Sequence, residues 1–212
     1  MDSGLPGGGG REHGPQRLPL TEMRDGNGRW VLGGGIGSGK SAVRRLLEES
    51  GVRTIDADSV GHRVLEPDGA AFGEVADRFP TAVVDGRIDR KKLAAIVFED
   101  NVELDALEAI THPHIFDTIR GHIQEIDGPV VVEMPVINHS LGPEWRLMVV
   151  DSPEEVRVER AIARGMSVED VRARVKSQPS RREWLAKADL VIPNAGTLTE
   201  LAVTVAEVTH RL

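Results

Sequence analysis

Cysteine is absent from this 212-residue chain, and aromatic residues make up only 3% of it. No apolar run approaches the roughly 18 to 20 residues that a membrane-spanning helix needs. The missing cysteine excludes disulfides, thiolate metal sites and a cysteine nucleophile, and suits a reducing, cytoplasmic setting. The scarcity of aromatics leaves few side chains on which single-stranded nucleic acid stacks. With 26 basic against 34 acidic residues the net charge is -8, so there is no overall basic surface. Neither nucleic acid nor membrane is an expected partner, and any anion site must be local. A hydrophobic content of 40% over 212 residues supports one globular domain with a buried core and room for a small insertion or mobile lid. Residues 1–29 are rich in Gly, Pro and charge and lack the apolar core of a signal peptide. They offer too little apolar surface to offset ordering entropy, so a disordered extension is expected, with the folded unit starting near Trp30.

Against this background stands Gly34-Gly35-Ile36-Gly37-Ser38-Gly39-Lys40-Ser41, which matches G-x-x-x-x-G-K-[ST] at every fixed position. An apolar run precedes it, and Val43, Leu46 and Leu47 follow at helical spacing. Such a loop turns consecutive backbone N–H groups onto a polyphosphate. The nucleotide-binding set is Gly35, Ile36, Gly37, Ser38, Gly39, Lys40, Ser41 and Ala42. Lys40 supplies a point charge for the outer phosphates, and the Ser41 hydroxyl is the ligand for Mg2+ beside them. Gly37 to Ala42 also fits the dinucleotide fingerprint G-x-G-x-x-A, with Asp56 near the ribose-acid spacing. A pyrophosphate held by backbone alone has no need of a lysine and a metal-binding hydroxyl at that turn, so a nucleoside triphosphate is the expected ligand.

Behind the loop, Gly51 ends the first helix and Val52 to Ile55 reads as a strand that delivers Asp56-Ala57-Asp58 to the sheet edge where the loop sits. A carboxylate there faces a transferred phosphoryl group. Ser59 to about Gln124 is mainly helical, with turns at Pro67-Asp68-Gly69, Phe79-Pro80 and Val84-Asp85-Gly86 between short helices. Pro129–Met134, Leu147–Val150 and Leu190–Ile192 read as buried parallel strands, and Leu198–Leu212 as a closing helix. The expected fold is α/β, a parallel sheet of about five strands flanked by helices. Arg157, Arg160 and Arg164 fall on one helix face ended by Gly165, and Ser167 caps a second basic helix carrying Arg172, Arg174 and Lys176. Two basic helices joined at a glycine suit a lid that closes on phosphates, about residues 154–187.

The order of these motifs over roughly residues 31 to 212 resembles the dephospho-coenzyme A kinases, members of the P-loop kinase superfamily. The residues that carry the resemblance are the loop; Ile55-Asp56-Ala57-Asp58; Val64-Leu65-Glu66-Pro67; Asp85-Gly86-Arg87-Ile88-Asp89-Arg90; His112-Pro113; Pro135; Arg160 and Arg164 ahead of Gly165; Gln178; Ala188-Asp189; and Asn194-Ala195-Gly196. The resemblance implies a P-loop kinase fold and ATP- and Mg2+-dependent phosphorylation of the ribose 3′-hydroxyl of dephospho-CoA. It implies Asp58 as the base that takes the hydroxyl proton, and Lys40 with Arg160 as the cations that stabilise the transferred group. Asn194 and Gly196 would lie near the adenine, and the helices of about 59–125 would bind the acceptor. Partners would be these two small molecules, and the protein a monomer or weak oligomer.

The chain departs from the family pattern in places. Where the family usually reads Asp-Ile-Pro-Leu-Leu-Phe-Glu, this chain has Glu133-Met134-Pro135-Val136-Ile137-Asn138-His139. The acid survives as Glu133, able to hold a metal-bound water, whereas His139 has no second metal ligand at a fitting spacing. Gly33 replaces a threonine and is expected to loosen the loop. Pro179 should kink or end a lid helix, and His112-Pro113-His114 reads as a helix start and packing feature. Other readings are a nucleoside or nucleoside monophosphate kinase on the same scaffold, and a nucleotide-binding sensor without transfer.

Overall fold

The computed structural model describes residues 28–134 and 141–212. Five short strands, β1 (Arg29–Gly33), β2 (Arg53–Asp56), β5 (Val130–Glu133), β6 (Arg146–Asp151) and β7 (Leu190–Pro193), form one sheet in the order β2-β5-β1-β6-β7. Every neighbouring pair is parallel. These strands are the runs of Val, Leu, Ile and Met read from the sequence, buried because helices cover both faces. Their side chains alternate between two cores. Trp30 and Leu32 pack with Val43 and Leu47 of α1 (Lys40–Glu49) and with Leu201, Val205 and Val208 of α9 (Leu198–Thr209). Val31, Val130, Val132 and Val149 pack on the other face, with Val60 of α2 (Ala57–Val64), Ile119 and Ile123 of α5 (Asn101–Gln124) and Trp184 of α8 (Arg181–Lys187). Each such buried aliphatic side chain contributes about 1.5–3 kcal/mol over its exposed state. Because β1 has β5 on one side and β6 on the other, its carboxyl end lies at the switch in strand order, where open α/β sheets form a ligand crevice.

Between β2 and β5 the chain forms α2, α3 (Phe72–Arg78), a 3-10 turn (Pro80–Ala82), a small antiparallel pair β3 (Val83–Val84) and β4 (Arg87–Ile88), α4 (Arg90–Glu99) and α5. Two expectations are corrected here. Val84-Asp85-Gly86 is not a turn between helices but the tip of a hairpin, with positive φ at Asp85 (49°) and Gly86 (72°), the geometry an Asp-Gly pair favours. His112-Pro113 does not start a helix either. Asp100 caps α5 through Val102 N–H, and Pro113 sits within its 24 residues. The missing N–H of a mid-helix proline costs about 3 kcal/mol. The buried Thr111, Phe116, Ile119 and Ile123 on either side of it offset that cost. The packing half of the expectation holds, since the His112 ring lies 5.9 Å from that of Phe116 and His114 Nε2 lies 2.9 Å from Glu74.

After β6 come α6 (Glu154–Ala163), α7 (Val168–Ser177) and α8. Gly165, at φ 91°, turns the chain out of α6, and Ser167 caps α7 by accepting from Asp170 N–H. Pro179 ends the helix as expected: Gln178 is extended, and Ser180 and Glu183 form a capping box that starts α8. Gly28 and Arg29 belong to the folded unit rather than to an extension, for Gly28 C=O accepts from Val130 N–H at 3.0 Å and Arg29 opens β1. The rest of the Met1–Arg29 reading, and the Pro135–His139 segment, lie outside the described residues.

Candidate functional site

Gly34, Gly37 and Gly39 carry the loop through φ values of 139°, 73° and 100°. A side chain at Gly37 or Gly39 would be strained and would collide with the Arg157 carbonyl or the Asn194 amide. Gly39 also explains why the start of α1 is open. It caps α1 without a side chain to occupy the first N–H groups, which remain available to an anion. Ser38 N–H donates to Gly35 C=O at 3.1 Å and closes the turn, while Lys40 Nζ donates to Gly34 C=O at 2.8 Å and lies back over the loop. Ile36 N–H donates to Gln178 Oε1 at 2.7 Å, so the residue that ends α7 is tied to the loop.

Opposite the loop, the register pairs Asp56 with Glu133 and Glu133 with Leu32 across adjacent strands. The strand ends therefore place carboxylates beside α1. Glu133 Oε1 accepts from Ser41 Oγ at 3.2 Å and its Oε2 from Arg44 Nε at 2.8 Å. Arg44 also reaches Glu48 at 2.7 Å and Asp56 at 3.9 Å. Burial works against the Arg44 charge, but its hydrogen bonds to Glu133 and Glu48 hold its pKa above the ordinary value. Asp56 is spent on capping α2, accepting from Asp58 N–H at 3.0 Å and from Ser59 N–H at 3.2 Å. Asp58, one residue into the same turn, is exposed and has no such duty. Burial pushes the Lys40 ammonium below its ordinary 10.5. Glu133 and Asp58 oppose that shift, while Arg157 and Arg164 add to it. Lys40, Ser41, Asp58 and Glu133 thus share one crevice. Ser41 Oγ and the Glu133 carboxylate are hard oxygen donors, a set that fits Mg2+ with its remaining positions filled by water and phosphate.

The remaining predicted residues cluster on the other side of the loop. Asn194 is 6% exposed, and its Nδ2 donates to Ser38 C=O at 2.8 Å. Arg160 Nη1 donates to Asn194 C=O at 2.9 Å and to Ser152 Oγ at 3.2 Å, and Nη2 reaches Gly196 C=O at 3.4 Å. The structure brings Arg160, Asn194 and Gly196 together at the end of β7, with the Arg160 fork on their carbonyls. The cations of α6 and its C-cap whose charge bears on Lys40 are Arg157 and Arg164. Arg157 is 6% exposed, lies against Gly35, pairs with Glu154 at 3.6 Å and leaves its Nε without a partner. Ala42, Gly35 and Ile36 keep their expected places in the loop and first turn. Sequence reasoning missed Arg44, although its position one turn after Lys40 put it on the crevice face of α1, and it missed Ser152, for which no local signal exists. Arg181 meets Asp151 through Nε and Nη2, each at 2.7 Å, and anchors α8 to the end of β6.

A parallel sheet with a glycine-rich phosphate loop at its switch point, a crevice of carboxylates and arginine-bearing helices beside it together define a P-loop kinase. The family model for dephospho-CoA kinase matches residues 30–200, and the chain belongs to that family. It is 42% identical over 188 residues to a dephospho-CoA kinase from Thermobifida fusca, covering 85% of this chain and 94% of that protein. With the dephospho-CoA kinase from Thermus thermophilus it shares 39% identity over 173 residues, 79% of this chain and 83% of that one. Among solved structures, TT1252 from Thermus thermophilus superposes with a TM-score of 0.77 at 34% identity, covering 88% of this chain and 98% of that one. A dephospho-CoA kinase from Campylobacter jejuni gives a TM-score of 0.65 at 28% identity, covering 86% and 95%.

Proposed function

We propose that the protein transfers the γ-phosphoryl group of ATP to the ribose 3′-hydroxyl of dephospho-CoA, giving coenzyme A, in the cytoplasm and with Mg2+. The observation that carries the reading is the meeting of Lys40, Ser41, Asp58 and Glu133 in one crevice of a chain that belongs to the dephospho-CoA kinase family. Phosphoryl transfer leaves little covalent work for the protein, so positioning and charge stabilisation dominate. The loop amides and Lys40 hold the β- and γ-phosphates. Ser41 and Glu133 would hold Mg2+, which when bound neutralises charge on the phosphate oxygens. Asp58 orients the acceptor hydroxyl and takes its proton late in the reaction. Arg164, and Arg157 beside Gly35, supply further positive charge near the transferred group, while Arg160, Asn194 and Gly196 build the wall on the adenine side. The helices of about 59–125 bind the acceptor and those of about 154–187 close over the nucleotide, excluding water.

The test is to incubate the protein with ATP and Mg2+, with and without dephospho-CoA, and to follow coenzyme A by mass spectrometry. Coenzyme A that appears only when dephospho-CoA is present is the expected result. ATP binding without product would point to a sensor, and turnover of other acceptors in a nucleoside and nucleotide panel would point to a different kinase.

A further inference from the structure

Two donors of the phosphate loop are engaged by protein oxygens. Lys40 Nζ donates to Gly34 C=O at 2.8 Å, and Ile36 N–H donates at 2.7 Å to Oε1 of Gln178, 142 residues further along the chain. The lysine of such a loop reaches the outer phosphates, so the Gly34 side of the turn, with Ile36 two residues on, is the outer-phosphate side. The carboxamide oxygen of Gln178 is thus an acceptor seated among phosphate donors. Its backbone is fixed from both directions. Gln178 N–H donates to Arg174 C=O at 3.2 Å at the end of α7, its ψ of 158° is extended, and Pro179 sets the next φ. Ser180 and Glu183 then open α8, which Arg181 ties to Asp151 and Trp184 packs into the core. By contrast α7 is loosely held, with Val171 the only buried residue of its ten. Gln178 therefore fastens a weakly packed helix to the loop. Its side chain makes no other hydrogen bond among the described residues, so a single competitor for Ile36 N–H releases it.

We infer that Gln178 stands in for an oxygen of the outer phosphate and sets the discrimination between nucleoside triphosphate and diphosphate. The γ-phosphate takes Ile36 N–H, displaces the carboxamide and unfastens the junction of α7 and α8 from the loop. A nucleoside diphosphate lacks the group that competes, so Gln178 stays on Ile36 and the junction stays fastened. Gln178 is a positioning residue: it acts through the loop amide and makes the attachment of α7 depend on the third phosphate. The inference rests on the part of the kinase reading that puts ATP on the loop, and is independent of the acceptor.

The experiment measures ATP and ADP binding by calorimetry, with Mg2+ and without acceptor, on the wild type, Gln178→Ala and Gln178→Glu. Residue-resolved amide exchange at Ile36 is followed on the same preparations. Alanine removes the competitor, so ATP should bind about two- to tenfold more tightly, the range for one net hydrogen bond, while ADP is unchanged. Glutamate puts a charged acceptor on the same N–H and repels the phosphate, so ATP should bind about tenfold or more weakly. Without nucleotide, the Ile36 amide should exchange faster in Gln178→Ala than in the wild type, and ATP should restore its protection in both. A loosened or misfolded loop weakens ATP and ADP together and cannot produce the gain. ATP affinity that is unchanged or weaker in Gln178→Ala, or equal tightening of ATP and ADP, would overturn the assignment. Wild-type protein that binds ATP but forms no coenzyme A from dephospho-CoA would sink the kinase reading, and the ratio of ATP to ADP affinity would still decide the role of Gln178.

Discussion

Replacing Asn194 by alanine separates two roles for a residue that the family resemblance puts near the adenine. Its Nδ2 donates to the carbonyl of Ser38, a residue 1% exposed. The hydroxyl of Ser152 lies 3.2 Å from the same carbonyl but 2.5 Å from the Asn194 carbonyl, and its single proton goes to the nearer acceptor. Ser38 C=O therefore depends on Asn194. Alanine keeps the backbone carbonyl that Ser152 and Arg160 use and removes only the strut. A buried carbonyl left without its donor costs about 1–3 kcal/mol. Taking about 2 kcal/mol, and about 2–4 °C per kcal/mol for a domain of this size, the melting midpoint should fall by about 4–8 °C. The loop loses its support at the same time, so the KM for ATP should rise severalfold while that for dephospho-CoA holds. Differential scanning calorimetry and steady-state kinetics on one preparation decide the matter. An unchanged midpoint with a raised KM for ATP would make Asn194 a nucleotide contact and refute the strut.

Asp58→Asn should lower kcat by about 10²–10⁴ with the melting midpoint intact, as loss of a general base does; a near-normal rate removes Asp58 from the chemistry. Arg44→Ala frees Glu133 from its 2.8 Å partner and should raise the Mg2+ concentration needed for half-maximal turnover, read from a metal titration. In the unliganded protein, burial holds the Lys40 pKa below 10.5. The ammonium that ATP needs is therefore lost as pH rises through that lowered value, and ATP affinity should fall in alkaline solution sooner than an ordinary lysine allows. Lys40→Arg should extend the plateau. At Gly33 an added Cβ would lie 2.5 Å from Trp184 Cζ3 and 3.1 Å from Leu147 Cδ1. Gly33→Ala should destabilise by about 1–3 kcal/mol, and a second change, Trp184→Leu, should recover most of it in a double-mutant cycle.

What the sequence carried plainly was what local chemistry decides. The runs at Pro129–Met134 and Leu147–Val150 became β5 and β6 because short runs of Val, Leu and Met bounded by turns have few other buried forms. The phosphate loop was legible because its glycines answer a backbone demand within eight residues. The Asp85-Gly86 tip was written there too, as the pair that favours positive φ, but it was read only as a break between helices, since β3 and β4 are two residues each. Pro113 misled for the opposite reason. A proline is a stop signal in isolation, and only the burial of Phe116, Ile119 and Ile123 against the sheet makes the uninterrupted α5 the better bargain.

Gly33 shows where local reasoning reverses. Read alone, a glycine in place of a threonine promises a looser loop. In the fold Gly33 is the last residue of β1, its φ is not in the left-handed region, and the Trp184 ring fills the space where a side chain would stand. The glycine makes room for a large buried ring, which packs α8 tightly against the foot of the loop and joins the Arg181 to Asp151 pair in fixing that helix. Positions 33 and 184 are 151 residues apart, and neither is unusual in its own neighbourhood. The same holds for Arg44 with Glu133, and for Asn194 with Ser38. The site is made of such pairs, and strand order is what creates them. The crevice residues become neighbours only once β5 and β6 enter the sheet on either side of β1. A chain with these motifs and a different strand order would keep the phosphate loop and lose the carboxylate facing it.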